Sequence, residues 1–598
     1  MGHGRRSAQR RTRPGRQAPG GSGGAGGDRA AAGAAVSTAA LSAAAAGTLQ
    51  LNALDWGILI FYFGIVVVIG VLARRAVRTS SDFFLSGRSL PAWITGLAFV
   101  SANLGALEIL GNAANGAEYG VAAVHFYWLG AIPAMVVLGV VLMPFYYDTG
   151  VHSVPEYLRR RFNRPTHLLN AVIFAIAQVL IAGVNLFALA LVIRSLLGWQ
   201  LWISIVVSAA FVLTYITLGG LFSAIYTEVL QFFIILAGLL PIVVIGLHQV
   251  GGFDGLYDRI ADPALFRTWE GTGVGSWTNP LGDWVGLAMG EGFVLSFGYW
   301  ATNFAEVQRT LSAKDLSAAR RTPIIGAFPK MFFPLLTVVP GMIALVLVPK
   351  LGEPGGPSYN DAIPELMGRL LPNGVLGVAL TGLLAAFMAG MAANVSGFNA
   401  VFTYDLWKPY VVRGRDDGYY LKVGRIVTVI GIAVSVGTAF IAAGYSNIQD
   451  YIQLLFSYFN SPLFATFIIG LFWKRTTPWA AFWGIVTGTA AAAGMHWTAY
   501  SIPYFYPGGV LDPSGETINA QMVNFYSAIA AFVVDAAVMV LVSLVTRPKP
   551  DSELTGLVWA LRDRRPRERA VWWQSPAVLA SLALGLVVLM SVGLVLVY

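Results

Sequence analysis

The chain has 598 residues and no cysteine. Disulfide frameworks, thiolate metal centres and cysteine nucleophiles are therefore excluded. Charge is scarce as well: Asp, Glu, Lys and Arg make up 12% of the residues, about half of the usual share in soluble domains. No H-E-x-x-H helix, G-x-S-x-G elbow or Walker-type loop stands at a structurally meaningful place. The six histidines show no paired His/Glu ligand spacing inside an apolar stretch, which argues against an intramembrane metal enzyme. No repeated pore loop is visible, which argues against a channel. Without an ATP site, any uphill movement of a solute has to draw on an ion gradient.

What the chain has is apolar length. It is 56% hydrophobic, with 13% aromatic residues and a net charge of +9; mean hydropathy is +0.66. The basic residues lie in short clusters between apolar runs rather than on one soluble domain, so a nucleic-acid partner is not expected. About 20 apolar residues cross a bilayer. By that measure the sequence predicts an all-α polytopic membrane protein of about fourteen spans, at 55–73, 91–117, 121–146, 167–193, 201–219, 224–247, 283–307, 323–349, 374–407, 422–444, 449–473, 477–496, 524–546 and 575–597. Residues 1–50 are rich in Gly, Ala and Arg, have no compact apolar core of a signal peptide, and read as a disordered tail.

Lys and Arg set the expected orientation. Alternate loops carry 26 and 5 of them. The rich set includes Arg159, Arg160, Arg161, Arg309, Lys314, Lys474 and Arg475 and is expected in the cytoplasm, which puts both termini outside. The external loops 248–282, 350–372 and 497–523 are long and rich in Gly, Pro and Asp, and hold no catalytic constellation.

Two spans are interrupted. Ser101–Gly116 (SANLGALEILGNAANG) holds three Asn, three Gly and Glu108 at membrane depth, and residues 291–303 (EGFVLSFGYWATN) mix Gly, aromatic and polar residues. Irregular backbone and polar side chains persist there only where protein or a cavity surrounds them. Each interruption opens a set of five spans, 91–247 and 283–473. An odd number of crossings inverts the second set relative to the first, and paired interrupted helices of inverted halves point to a binding site near the midplane. The chain thus divides into a tail (1–50), a peripheral first helix and cytoplasmic loop (51–90), a first repeat (91–247), an external loop (248–282), a second repeat (283–473) and peripheral C-terminal helices (474–598). Glu108 costs roughly 2.5–3.5 kcal/mol at membrane depth unless paired; Lys330, with Glu108 or Glu291 as partner, is the obvious cation.

Several stretches in order carry a family likeness: DFFLSGRSLPAW (82–93), SAN…GNAANGAEYG (101–120), VHSVPEYLRRRF (151–162), TLGGLFSAIYTEVLQFF (217–233), YWATNFAEVQRTLSAKD (299–315), AFPKMFFPLLTVVPG (327–341) and GLFWKRT (470–476). With them the chain resembles the sodium/solute symporter family, most closely its sodium-coupled sugar branch. The resemblance implies a core of five plus five inverted helices, two of them discontinuous, that works by alternating access. It implies a solute pocket containing Glu108, Tyr127, Asn185, Ser296, Tyr299, Lys330 and Gln453, with Tyr299 covering the solute on its inner side. Glu108 stands in place of a family Gln and Tyr127 in place of a family Glu.

The resemblance also implies a sodium site between the first and eighth core helices. Its ligands would be carbonyls of Ser101, Leu104 and Ala386 together with a hydroxyl pair. Here that pair is Ala389 and Gly390, so the site is expected to be weak, with Glu228 as a carboxylate in reach. The expected function is symport of a small polar solute, sugar-like or polyol, with sodium. Proton coupling through Glu228 is the alternative, and a membrane solute sensor the alternative of another class. The partners expected are the solute, the coupling cation and the bilayer, with no cofactor besides the ion and no obligatory protein partner.

Overall fold

A computed structural model describes residues 51–76, 89–149, 154–269, 281–499, 501–502, 519–562 and 572–597. The tail expected at 1–50 lies outside the described residues, as do parts of the loops at 77–88, 270–280, 503–518 and 563–571. Among the described residues the chain is all helix, with a single isolated bridge between Leu90 and Ala313. Helix occupies every one of the fourteen expected ranges. Among the described residues, nine helices are long and apolar enough to cross a membrane unaided, and a bent pair adds a tenth. Ala53–Ala76, Leu201–Thr214, Pro478–Ala499 and the helical run over 286–311 fill the remaining ranges. The protein is a multi-pass membrane protein.

Burial separates a core from a periphery. In Val375–Val411, 89% of the apolar window is enclosed by protein, against 28% in Ala520–Val545 and 17% in Pro576–Val597. The outer faces of the last two helices present Val545, Leu589 and Leu596, as expected of surfaces turned to lipid.

Both interruptions are real breaks. Ala92–Asn103 and Leu107–Val124 meet at 61°. Leu104 leaves the helical region, and its N–H turns back to the carbonyl of Ser101 at 3.0 Å. Gly105 allows the bend to lie against the core: a Cβ there would stand 3.2 Å from Gly390 Cα. The second break falls at Asn303, the last residue of the predicted stretch. Asn303 is extended, and its side chain caps the next helix by accepting from Ala305 N–H at 3.0 Å. Before it, Gly286–Ser296 is wound as a π-helix, a form that gathers at functional sites.

A further break follows Lys330. Pro334 has no N–H to offer the Lys330 carbonyl, and the helix ends at Lys330 and resumes at Phe333. The Met331 carbonyl at this break accepts from the Trp128 indole at 2.9 Å.

Two expectations are corrected. The boundary between spans 201–219 and 224–247 is not a loop: helical backbone runs through Leu201–Val250, with apolar stretches at Leu201–Thr214 and Ile225–Val250. Arg161 and Arg309 are not loop charges. Both are fully buried; Arg161 donates to the carbonyls of Gly470 (2.9 Å) and Trp473 (3.1 Å), and Arg309 is ion-paired.

Candidate functional site

The two broken helices and the helices carrying Tyr127 and Gln453 enclose a pocket with a cavity volume of about 50 Å³. Its polar lining is Asn103, Glu108, Asn112, Glu291, Gln449 and Gln453, with Tyr127, Ser296 and Tyr299. Its apolar lining is largely aromatic: Phe126, Trp300 and Phe456. Five residues named from sequence thus meet here: Glu108, Tyr127, Ser296, Tyr299 and Gln453.

Lys330 stands directly behind the lining. It is fully buried, donates to Glu108 Oε1 at 2.6 Å and to Asn103 Oδ1, and lies over the rings of Tyr127 (5.4 Å) and Trp300 (5.2 Å). Of its two possible partners the structure selects Glu108. Tyr127 fixes the other side of Glu108's helix. Its hydroxyl lies 2.9 Å from Thr337 Oγ1, accepts from Asn112 at 3.0 Å and reaches the Glu108 carbonyl at 3.4 Å.

From Asn103 a buried polar chain leads away from the pocket. Asn103 donates to the Tyr299 hydroxyl at 3.0 Å, and that hydroxyl donates to Glu306 Oε1 at 2.9 Å. One turn further along Glu306's helix, Arg309 binds both carboxylate oxygens of Glu228, at 2.5 and 3.2 Å, and the Ala305 carbonyl at 2.5 Å. Glu228 is therefore a salt-bridge partner and not the free carboxylate expected near the cation. Fork-on-carboxylate pairing of this kind holds two helices in register.

On the opposite wall, Glu291 accepts from Ser296 Oγ at 3.0 Å and from Gln453 Nε2 at 3.0 Å. The π winding places Glu291 and Ser296, five residues apart, on one side of their helix.

Asn185 is also corrected. It does not line the pocket. Its Oδ1 accepts from the Ala106 N–H at 2.9 Å, and its Nδ2 donates to the Ile181 carbonyl at 3.2 Å. It therefore supports the first break, where the bent backbone leaves Ala106 N–H without a helical acceptor. The same Oδ1 fills the space between Gly105 and Gly390: a Cβ on Gly390 would stand 2.5 Å from it and 2.9 Å from Gly105 Cα.

That space adjoins the residues expected to bind the cation. Ser101, Leu104, Ala386, Ala389 and Gly390 are all buried. Ser101 Oγ is buried with no partner, its carbonyl receives Leu104 N–H, and the Gly390 carbonyl receives Asn394 Nδ2 at 2.8 Å. Ala389 and Gly390 supply no side-chain oxygen. Among the described residues no group of three or more His, Asp or Glu is placed to hold a metal ion.

Sequence reasoning passed over Asn103, Asn112, Gln449 and the Glu306–Arg309 end of the chain. The first two sit inside the interrupted stretch, and Gln449 precedes Gln453 by one helical turn, so position alone could have flagged them. Nothing local marks Arg309, whose partner is 81 residues away.

Comparison with known proteins gives a consistent answer. The model of the sodium:solute symporter family matches residues 83–488. Sodium/glucose cotransporter 1 of Sus scrofa is 31% identical over 553 residues, covering 86% of this chain and 82% of the relative. The sodium/glucose cotransporter of Vibrio parahaemolyticus is 28% identical over 476 residues, covering 76% of this chain and 87% of the relative. Among solved structures, a sodium-coupled sialic acid symporter in a substrate-bound outward-open state aligns with a TM-score of 0.66 at 18% identity, over 83% of this chain and 99% of that one. That structural likeness supports the fold.

Proposed function

We propose that this chain, which belongs to the sodium:solute symporter family, carries a sugar-like or polyol solute into the cell together with sodium by alternating access. As a member of that family it is a transporter and not an enzyme. The observation that carries the finer reading is the pocket itself. Polar side chains from two broken helices converge inside an apolar body and are faced by aromatic rings, an arrangement suited to hydroxyl groups on a small ring. Relatives whose names specify glucose support the sugar class.

For the ion, the reading uses the space beside the first break. Sodium is a hard cation that takes oxygen ligands. Oxygens near that break include the unpartnered Ser101 hydroxyl and Asn185 Oδ1, which accepts from Ala106 N–H. Proton coupling drew its support from Glu228, and the pairing of Glu228 with Arg309 removes that support. The excess of Lys and Arg in alternate loops supports a reading with the basic loops in the cytoplasm and both termini outside the plasma membrane.

The test is uptake of labelled hexoses, inositols and hexosamines into proteoliposomes. Accumulation is expected under an inward sodium gradient and should collapse on adding a sodium ionophore. Equal uptake under potassium, or uptake driven by a proton gradient without sodium, overturns the reading.

A further inference from the structure

The polar atoms without partners in the pocket are of one kind. Glu108 Oε2, Asn112 Oδ1, Gln449 Oε1 and Gln453 Oε1 are buried oxygens that receive no hydrogen bond. No lining residue leaves a buried side-chain donor without an acceptor. A buried acceptor left dry costs about 1–3 kcal/mol, so four in one cavity call for a ligand that donates.

Charge points the same way. Lys330 answers Glu108. Glu291, 2% exposed, meets two neutral donors, Ser296 and Gln453, and has no ion-pair partner among the described residues. A carboxylate accepts at about four positions, and two of Glu291's are filled. A buried carboxylate without a cation is strongly disfavoured and is otherwise neutralised by a proton; a positive group entering the pocket would let it stay charged.

Resting on the symporter reading above, we propose that the solute is a polyhydroxylated amine, an amino sugar or aminocyclitol, whose protonated amine is held by Glu291 with the Gln449 and Gln453 carbonyl oxygens. An ammonium group brings three donors and no acceptor, which matches the acceptors left open. The hydroxyl groups of the ring serve Asn112 Oδ1 and Glu108 Oε2. Tyr299, Trp300 and Phe456 supply faces that attract a cation as well as cover a ring. Sugar acids and sugar phosphates are excluded by the same wall, since Glu291 would face their charge.

The experiment is binding to the purified full chain in lipid nanodiscs at saturating sodium, below neutral pH, with glucosamine, N-acetylglucosamine and glucose as probes. These share a ring and differ at one carbon, where only glucosamine carries a charge. Glucosamine is expected to bind roughly 10- to 150-fold more tightly than the other two, the range for a hydrogen bond to a charged group. Glu291→Gln is expected to erase that margin. The ranking in the unmodified protein is decisive if the variant does not fold. Equal binding of the three probes, or a margin that survives Glu291→Gln, overturns the inference. If neutral hexose is still accumulated in sodium without preference for the amine, this inference fails and the symporter reading stands. If no polyol is accumulated in sodium, the symporter reading fails first. Proton-driven uptake of neutral hexose that is lost in Glu291→Gln would assign the carboxylate to the coupling ion and overturn the inference.

Discussion

The solute pocket and the place expected for the cation share the first broken helix and are built in opposite ways. The pocket draws Asn103, Glu108 and Asn112 from that helix and leaves oxygens open. A few residues away, at Leu104–Gly105, the helix is pressed against Gly390, and the Asn185 carboxamide closes the space. One region is defined by side-chain chemistry, the other by how closely two backbones approach. The hydroxyl pair missing at Ala389 and Gly390 is thus not simply a deletion. A Cβ at 390 would stand 2.5 Å from Asn185 Oδ1 and 2.9 Å from Gly105 Cα, so the close approach of the two backbones depends on Gly390.

The largest effect is expected at the pocket's charge pair. Lys330→Met leaves Glu108 buried without its cation, which costs about 3–5 kcal/mol. Denaturant or thermal unfolding in detergent measures it, and adding Glu108→Gln to the variant should recover a large part. No recovery would show that Lys330 acts through its packing on Tyr127 and Trp300 instead. The close approach gives the next effect. Gly390→Ala forces Gly105 or Asn185 to move, at about 1–3 kcal/mol. Gly390→Ser, which restores a family hydroxyl, is expected to weaken the sodium dependence of uptake rather than tighten it. A tighter dependence would mean that the space can open for a side chain. The smallest effect belongs to the periphery. Leu596→Ala, at a position 81% exposed, should leave uptake unchanged and stability within about 0.5 kcal/mol.

The same contrast explains what the sequence disclosed. Apolar length and interrupted composition were enough for the all-helical fold and both breaks, because Gly, Asn and Glu inside an apolar run are local signals; the boundary expected between 201–219 and 224–247 was not, since helix runs through it. Five pocket residues followed from the family likeness and their place in those stretches. What escaped depends on contacts between distant segments. Arg309 and Glu228 read as a loop charge and a free carboxylate until the fold pairs them. Arg161 reads as cytoplasmic until its guanidinium is found capping carbonyls near residue 473. Asn185 matches a solute contact by position, yet the bend at Gly105 brings the Ala106 N–H to it and diverts it to the backbone. Periodicity marks which face of a helix is buried and not which partner it meets.

The most direct test separates the two regions by their ligands. Solute affinity and sodium midpoint are measured by equilibrium binding for Asn185→Ala and Ser296→Ala. Asn185→Ala is expected to raise the sodium midpoint by roughly 5- to 150-fold, the range for one lost polar partner, with solute affinity at saturating sodium retained. Ser296→Ala is expected to weaken solute affinity and leave the sodium midpoint in place. The reverse pattern, with Asn185→Ala weakening solute at saturating sodium and the sodium midpoint unmoved, would return Asn185 to the pocket and contradict the division drawn between the two sites.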